Sequence, residues 1–262
     1  MPGCKLSISN IAWDKADDER VYAAMKTYGF TGLELAPTRI FPEQPYENLT
    51  GAALFGSYLR QSYGFAVPSI QSIWYGQTGN IFVPEEAETL LDYTAQAFDF
   101  AHALNCPSLV FGCPKNRSLP AGADPASADG FFARAGRLAA RRGVRLAVEA
   151  NAPVYTNFLN NTADAFALVK RIGGEGLAVN FDLSTILSNG ERLRDFAGEL
   201  NLVSHVHISE PSLAPIERRA IHKELALMLG AVGYSGYVSV EMGRTDAATI
   251  ERTLAYVAEV FQ

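Results

Sequence analysis

The chain has 262 residues, 48% of them hydrophobic and 19% charged, with a formal net charge of −6. That much apolar material excludes disorder and supplies a large core, and the acidic balance offers no general attraction for a polyanion, so nucleic acid is a poor partner. The length suits one barrel of roughly 250 residues better than two ordinary domains.

In chain order, β-rich runs alternate with helical patterns, which argues for parallel βαβ units. Strands are expected at KLSISNIAW from Lys5, GLELA from Gly32 and VPSIQSIW from Val67. A helix follows, with the stripe Leu90, Thr94, Ala97, Ala101 and Leu104 at spacings of three and four. Next come strands SLVFG from Ser108 and RLAVEAN from Arg145, then a helix starting at Thr162 before ADAFALVKRI. Gly143 and Gly173 read as helix stops, and GGEG from Gly173, on the wrong side of its strand for a phosphate loop, reads as a turn. LAVNFD from Leu177 is the next strand, and Ser188-Asn189 signposts a helix over GERLRDF. SHVHIS from Ser204 and YVSVEM from Tyr237 complete about eight strands, before a last helix on Ile250, Leu254, Val257 and Phe261. No glycine-rich dinucleotide turn follows the first strand, so a closed (β/α)8 TIM barrel over residues 1–262 is preferred to an open doubly wound sheet.

Cys4, Cys106 and Cys113 are odd in number and lack a CxxC spacing, as reduced thiols would. No signal-peptide organisation is visible, and no apolar run approaches the roughly 18 residues of a membrane helix. The expectation is a soluble cytoplasmic protein with no membrane partner. The N-x-S/T triplets at Asn48, Asn116 and Asn160 are then chance matches.

Alternation along a barrel strand sends successive side chains inward and outward. With Val148, Val179, Phe181, Val206, Ile208, Val238 and Val240 facing the helices, Glu149, Asp182, His207 and Glu241 face inward near the C-terminal strand ends. Barrel active sites are built at that end. Three carboxylates about 4 Å apart repel by roughly 4 kcal/mol per pair at an effective dielectric near 20, and a divalent cation relieves this. Three oxygen donors and one nitrogen suit Mn²⁺, Mg²⁺ or Co²⁺, with Zn²⁺ left open. His205, one inward layer below His207, is expected to support that ligand rather than bind metal. His102 and His222 fall in helical patterns and read as structural.

The segments LAVEAN, NFDLST, HVHISE and GYSGYVSVEM, carrying Glu149, Asp182, His207 and Glu241, resemble the xylose isomerase-like TIM-barrel superfamily, whose members include sugar isomerases, sugar 3-epimerases, inosose dehydratases and an apurinic endonuclease branch. The resemblance spans the second half of the chain in motifs and the first half in architecture. It implies one divalent metal held by those four side chains, with the two glutamates flanking a substrate. Many epimerases of the family carry histidine three residues after the aspartate, where this chain has Thr185. The endonuclease branch adds histidines for three zinc ions; here the corresponding strands end in Gln71 and Gly112-Cys113, which lack those ligands.

The expected function is a metal-dependent isomerase or epimerase of a sugar, sugar acid or sugar phosphate. Proton transfer next to a carbonyl, through an enediolate, would use Glu149 and Glu241 as base and acid. Expected substrate contacts are Glu34, whose alternative is a rim salt bridge, and Gln71 and Trp74 after the third strand. Lys115 and Arg117, with Asn116 between them, could hold an anionic substrate group, as could Arg244. Glu210 would accept a substrate hydroxyl or support His207. Trp13 reads as packing. Three alternatives stay open: a polyol-ketone dehydratase, a non-catalytic sugar-binding protein and an endonuclease-like hydrolase. A homo-oligomer is compatible with the sequence.

Overall fold

The structure is a computed structural model that describes residues 4–262. Its parallel strands are β1 (Lys5–Ser9), β2 (Gly32–Glu34), β3 (Ser108–Phe111), β4 (Arg145–Glu149), β5 (Leu177–Asp182), β6 (Val203–Ser209) and β7 (Tyr237–Glu241). They pair in the order β2-β1-β7-β6-β5-β4-β3, and residues 66–70 join the two ends of this curled sheet. The Leu33 and Leu35 amides donate to the carbonyls of Ala66 and Ser69. On the other side, the Ile70 amide donates to the Ser108 carbonyl, and the Ile70 carbonyl accepts from Val110. The result is the expected (β/α)8 barrel with one stave reduced. VPSIQSIW, expected as a full strand, pairs only through isolated bridges at Ala66 and Ile70, because Pro68 has no N–H to give the ladder.

Each strand is apolar on its helix-facing side. Leu146, Val148, Val179, Phe181, Val206, Ile208, Val238 and Val240 are fully buried, and such burial contributes roughly 1.5–3 kcal/mol per side chain. The inward side is polar instead: Ser7, Ser9, Glu34, Asn180, His205, His207 and Ser239 are all buried within the barrel.

The stripe from Leu90 to Leu104 lies buried along the helix Pro84–Leu104. Pro84 opens that helix, Glu85 and Glu86 face its positive end, and Asn105 closes it in the left-handed conformation. The stripe from Ile250 to Phe261 is likewise buried on the helix Ala247–Phe261, capped by the Asp246 side chain. Two helix starts differ from expectation. Asn161 rather than Thr162 caps the helix Thr162–Ile172. Ser188-Asn189 ends a helix instead of starting one: Leu183–Asn189 is helical and stops at Gly190, with φ of 64°, before 3-10 turns over Leu193–Leu202. The cause lies at Asp182, whose carboxylate accepts from the Thr185 amide and so launches the helix directly off the strand end.

One irregularity sets the register of the site. Val179 of β5 lies opposite Val203 of β6, but Asn180 lies opposite His205 and Asp182 opposite His207. A ladder continued from Val179 and Val203 would have put Val206 opposite Asp182; the extra residue in β6 corrects this. Among the described residues, no helix is long and apolar enough to cross a membrane, and the cysteines are free.

Candidate metal centre and active site

Glu149, Asp182, His207 and Glu241 each bring a potential ligand atom to one place, all within 4.8 Å of one another. His207 Nδ1 lies 3.2 Å from an oxygen of Glu149 and 3.2 Å from one of Glu241. The parity argument therefore brings all four side chains together at the C-terminal mouth. Amides fix two of the carboxylates. Glu149 accepts from Asn151 Nδ2 at 2.9 Å and from Asn180 Nδ2 at 2.7 Å. Asp182 accepts from the Thr185 amide at 2.9 Å and from the Ser209 hydroxyl. Gly112 leaves room for Glu149, since a Cβ there would lie 2.9 Å from Glu149 Oε1.

Beneath this cluster the structure corrects one expectation. Glu34 is neither at the rim nor open to a substrate hydroxyl; it is fully buried. Its Oε2 accepts from His205 Nε2 at 2.7 Å, from His207 Nε2 at 3.0 Å and from the Ser69 hydroxyl. With Nε2–H committed to Glu34, His207 presents Nδ1 to the carboxylates above, the carboxylate–histidine arrangement that orients metal ligands. His205 sits below His207 as expected. Burial works to raise the Glu34 carboxyl, but His207 and His205 outweigh it and hold the group well below the usual carboxylate range.

Apart from Lys115, the other expected substrate contacts are occupied elsewhere. Arg117 is fully buried, donating through Nη1 to the Glu149 carbonyl at 2.8 Å and through Nη2 to Asn151 Oδ1 at 2.7 Å. A guanidinium can only donate, so it turns the Asn151 oxygen toward itself and the Asn151 NH₂ toward Glu149. Arg117 thus braces the site from behind rather than meeting a substrate anion. Gln71 is buried and engaged by Ser9 and Ser72. Glu210 is buried against Arg219 Nε, at 2.7 and 2.9 Å. Arg244 is exposed and pairs with Asp14 at 3.3 Å. Trp74 is buried, its Nε1 donating to Thr94 Oγ1, and Trp13 is packed as expected. Asn116 is buried and spends its amide on the carbonyls of Gln77 and Gly79, while Lys115 is exposed beside it. His222 is buried against the Tyr256 hydroxyl, and His102 meets the Arg142 carbonyl, both structural positions.

The cluster opens onto a cavity of about 390 Å³ lined also by Asn151, Tyr155, Ser184, Ser212 and Leu213. Sequence reasoning missed these residues. Only Asn151 carried a signal, as a polar residue two positions beyond Glu149.

Three carboxylates and one imidazole, converging and without sulfur, fit a divalent ion that prefers oxygen and nitrogen. Cys113 stands nearby but is not among the four side chains whose ligand atoms converge, and burial pushes its thiol up to about 12 against the pull of Arg117.

The metal-free cluster carries protons instead. Burial, then the charges of Glu149 and Glu241, push Asp182 up to about 7. Burial also raises Glu241, with Glu149 and Glu34 adding to it and His207 opposing. Burial favours a neutral His207, but Glu34, Glu241 and Glu149 outweigh it and hold the ring well above the usual histidine range. Glu149 ends below the carboxylate range, burial being outweighed by His207 and the two amides. The three raised groups stabilise the metal-free protein below their unfolded values, and that contribution is lost as pH rises through their folded ones, about 7 for Asp182. An ion bound here displaces those protons. The rise in Tm on adding Mn²⁺ should therefore grow from about pH 6 to about pH 8, with proton release seen as a buffer-dependent heat of binding. A pH-independent rise without proton release would place the ion elsewhere.

A family model described as xylose isomerase-like TIM barrel matches residues 22–260. A search of curated proteins finds no match. Among solved structures, the apo 3-keto-D-glucoside 4-epimerase of E. coli is similar at TM-score 0.76 and 17% identity, covering 99% of this chain and 100% of that one. An AP endonuclease, family 2, from Brucella melitensis is similar at TM-score 0.75 and 22% identity, covering 100% of both chains. The D-psicose 3-epimerase of Clostridium cellulolyticum H10, solved with D-tagatose, follows at TM-score 0.74 and 15% identity, covering 97% and 96%. At these identities the likeness is one of fold.

Proposed function

Because the chain belongs to the xylose isomerase-like TIM-barrel family, we propose that it is a divalent-metal-dependent sugar isomerase or epimerase that moves a proton next to a carbonyl. The observation that carries this reading is the meeting of Glu149, Asp182, His207 and Glu241 beneath an open cavity. Those four would hold the ion, with Mn²⁺, Mg²⁺ or Co²⁺ suited to the donor set. When bound, it supplies Lewis-acid polarisation of a substrate carbonyl, which acidifies the neighbouring C–H.

The chain's own residues do the rest. Glu149 ends β4 and Glu241 ends β7, so the two carboxylates reach the cavity from separate strands. One takes the α-proton from one face of the carbon, and the other returns a proton to the opposite face, which inverts that carbon. Return to the adjacent carbon instead exchanges aldose and ketose. Asn151, Asn180 and the buried Arg117 keep Glu149 aimed, while Tyr155 and Leu213 line the open cavity above it. The single imidazole in an oxygen-rich set favours this chemistry over the histidine-rich zinc sites of the endonuclease branch. The names of two fold neighbours, both sugar epimerases, point the same way.

The test is a deuterium-exchange screen in heavy water across ketoses, aldoses and their acids, with the protein loaded in turn with each candidate metal. We expect deuterium at the carbon next to the carbonyl of at least one sugar, abolished by chelation. Loss of water from the substrate would indicate a dehydratase, and binding without exchange a non-catalytic sugar receptor.

A further inference from the structure

The cleft at the barrel mouth extends beyond the acidic cluster. Beside the first cavity lies a second, of about 640 Å³, lined by Trp74, Tyr75, Gln77, Thr78, Cys113 and Lys115 among others. Pro114 lines both, so a single turn of chain divides them. That turn begins at Gly112, packed against Glu149, which places the second cavity immediately beside a carboxylate assigned to the chemistry.

Two parts of this second cavity's wall, Trp74 and the Asn116 loop, are fixed in place. Trp74 is anchored to Thr94 and packs edge-on against Phe111, with ring centres 4.9 Å apart. The Asn116 side chain ties its own loop to the carbonyls of Gln77 and Gly79 at 3.2 and 2.9 Å, and the Ile81 amide donates to the Asn116 carbonyl at 2.9 Å. Ser72 and Cys113 hold φ of 53° and 43°, a left-handed backbone that costs non-glycine residues of order 1 kcal/mol or more and gathers at ligand clamps. A cavity built this way is preformed, so filling it costs little ordering.

Its lining indicates what fills it. Tyr75 is 71% exposed on the wall, although its neighbours Ile73 and Trp74 are buried. Lys115 is exposed and has no carboxylate partner among the described residues. The exposed Tyr75 ring, in a cavity also lined by Thr78 and Lys115, suits a pyranose ring, apolar on its C–H face and hydroxylated at its edge. No acidic side chain lines this cavity, whereas the first one is acidic. An ion bound over Glu149 therefore has no competing carboxylate here.

We infer that the second cavity is a glycosyl subsite and that the substrate is a glycoside, its reacting sugar over Glu149 and Glu241 and its second ring on Tyr75. This rests on the sugar isomerase or epimerase reading of the first cavity.

The test uses the Mn²⁺-loaded protein with D-fructose, D-tagatose and the 6-O-glucosyl derivative of each. Saturation-transfer NMR reads contact with the glucosyl ring, and deuterium incorporation from heavy water reads the chemistry. We expect strong transfer to the glucosyl protons and a glucoside bound about tenfold more tightly than its free ketose. Both effects should vanish in Tyr75→Ala and persist in Tyr75→Phe, and circular dichroism should show all three proteins folded alike. Equal affinity for ketose and glucoside, or glucosyl contact unchanged in Tyr75→Ala, overturns the subsite. Exchange on free ketoses without glucosyl contact removes the subsite and leaves the isomerase reading standing. Glucosyl contact without exchange on any sugar keeps the subsite and removes that reading.

Discussion

Glu241→Gln should leave the barrel folded and lower exchange of the substrate α-hydrogen with solvent by about 10²–10⁴-fold, the contribution of a positioned acid or base. Glu241 ends β7 beside His207, with its side chain 15% exposed toward the cavity. Glutamine keeps the volume and the strand pairing but can no longer exchange a proton with carbon. The change also removes one negative charge from the ligand set. The comparison therefore belongs at saturating Mn²⁺, with metal content measured on the same sample and the thermal melt checked against the parent. Undiminished exchange in a metal-loaded, folded variant would remove Glu241 from the proton-transfer role and leave Glu149 to act alone.

Glu34→Ala should be the most destabilising single change in the site region, by about 3–5 kcal/mol, because it strips the countercharge from a buried cation. In the metal-free protein that cation is His207, enclosed in the barrel with Glu34 on one edge and the acidic cluster on the other. The same change frees the ring that presents Nδ1, so Mn²⁺ affinity should fall by roughly 10–100-fold, as when other metal-bound histidines lose their carboxylate partner. Urea unfolding of the metal-free protein measures the first effect, and calorimetric titration of Mn²⁺ into the folded variant measures the second. If stability and Mn²⁺ affinity both match the parent, Glu34 does not orient His207.

The four converging side chains were legible in the sequence because strand alternation is local: two flanking apolar residues settle which way Glu149 or Asp182 faces. Barrel closure was legible for the same reason, except across Pro68, where an apolar run looks like a strand but lacks one ladder donor. The contacts expected of Arg117, Gln71 and Arg244 did not survive, because each has a partner distant in the chain, for Gln71 the hydroxyl of Ser9, while Glu210 is taken by Arg219 nine residues on. Arg117 finds a carbonyl 32 residues away, and Arg244 finds Asp14 across 230. Glu34 was partly readable. Its place at the end of β2 was plain, but nothing local said that it would meet the two inward histidines of β6. Tyr155 sits in a loop, Leu213 in a short 3-10 turn and Ser184 in the first turn of the helix Leu183–Asn189; none belongs to a periodic pattern, and they left no trace.

The one-residue offset between β5 and β6 works like a vernier on the barrel wall. It slides one stave past its neighbour until the imidazole stands level with the aspartate, without altering either side chain. Chemistry at the mouth is consequently encoded in backbone spacing as well as in residue identity. A chain that kept every acid and the histidine but lost the spare residue of β6 would carry the right ligands at the wrong height.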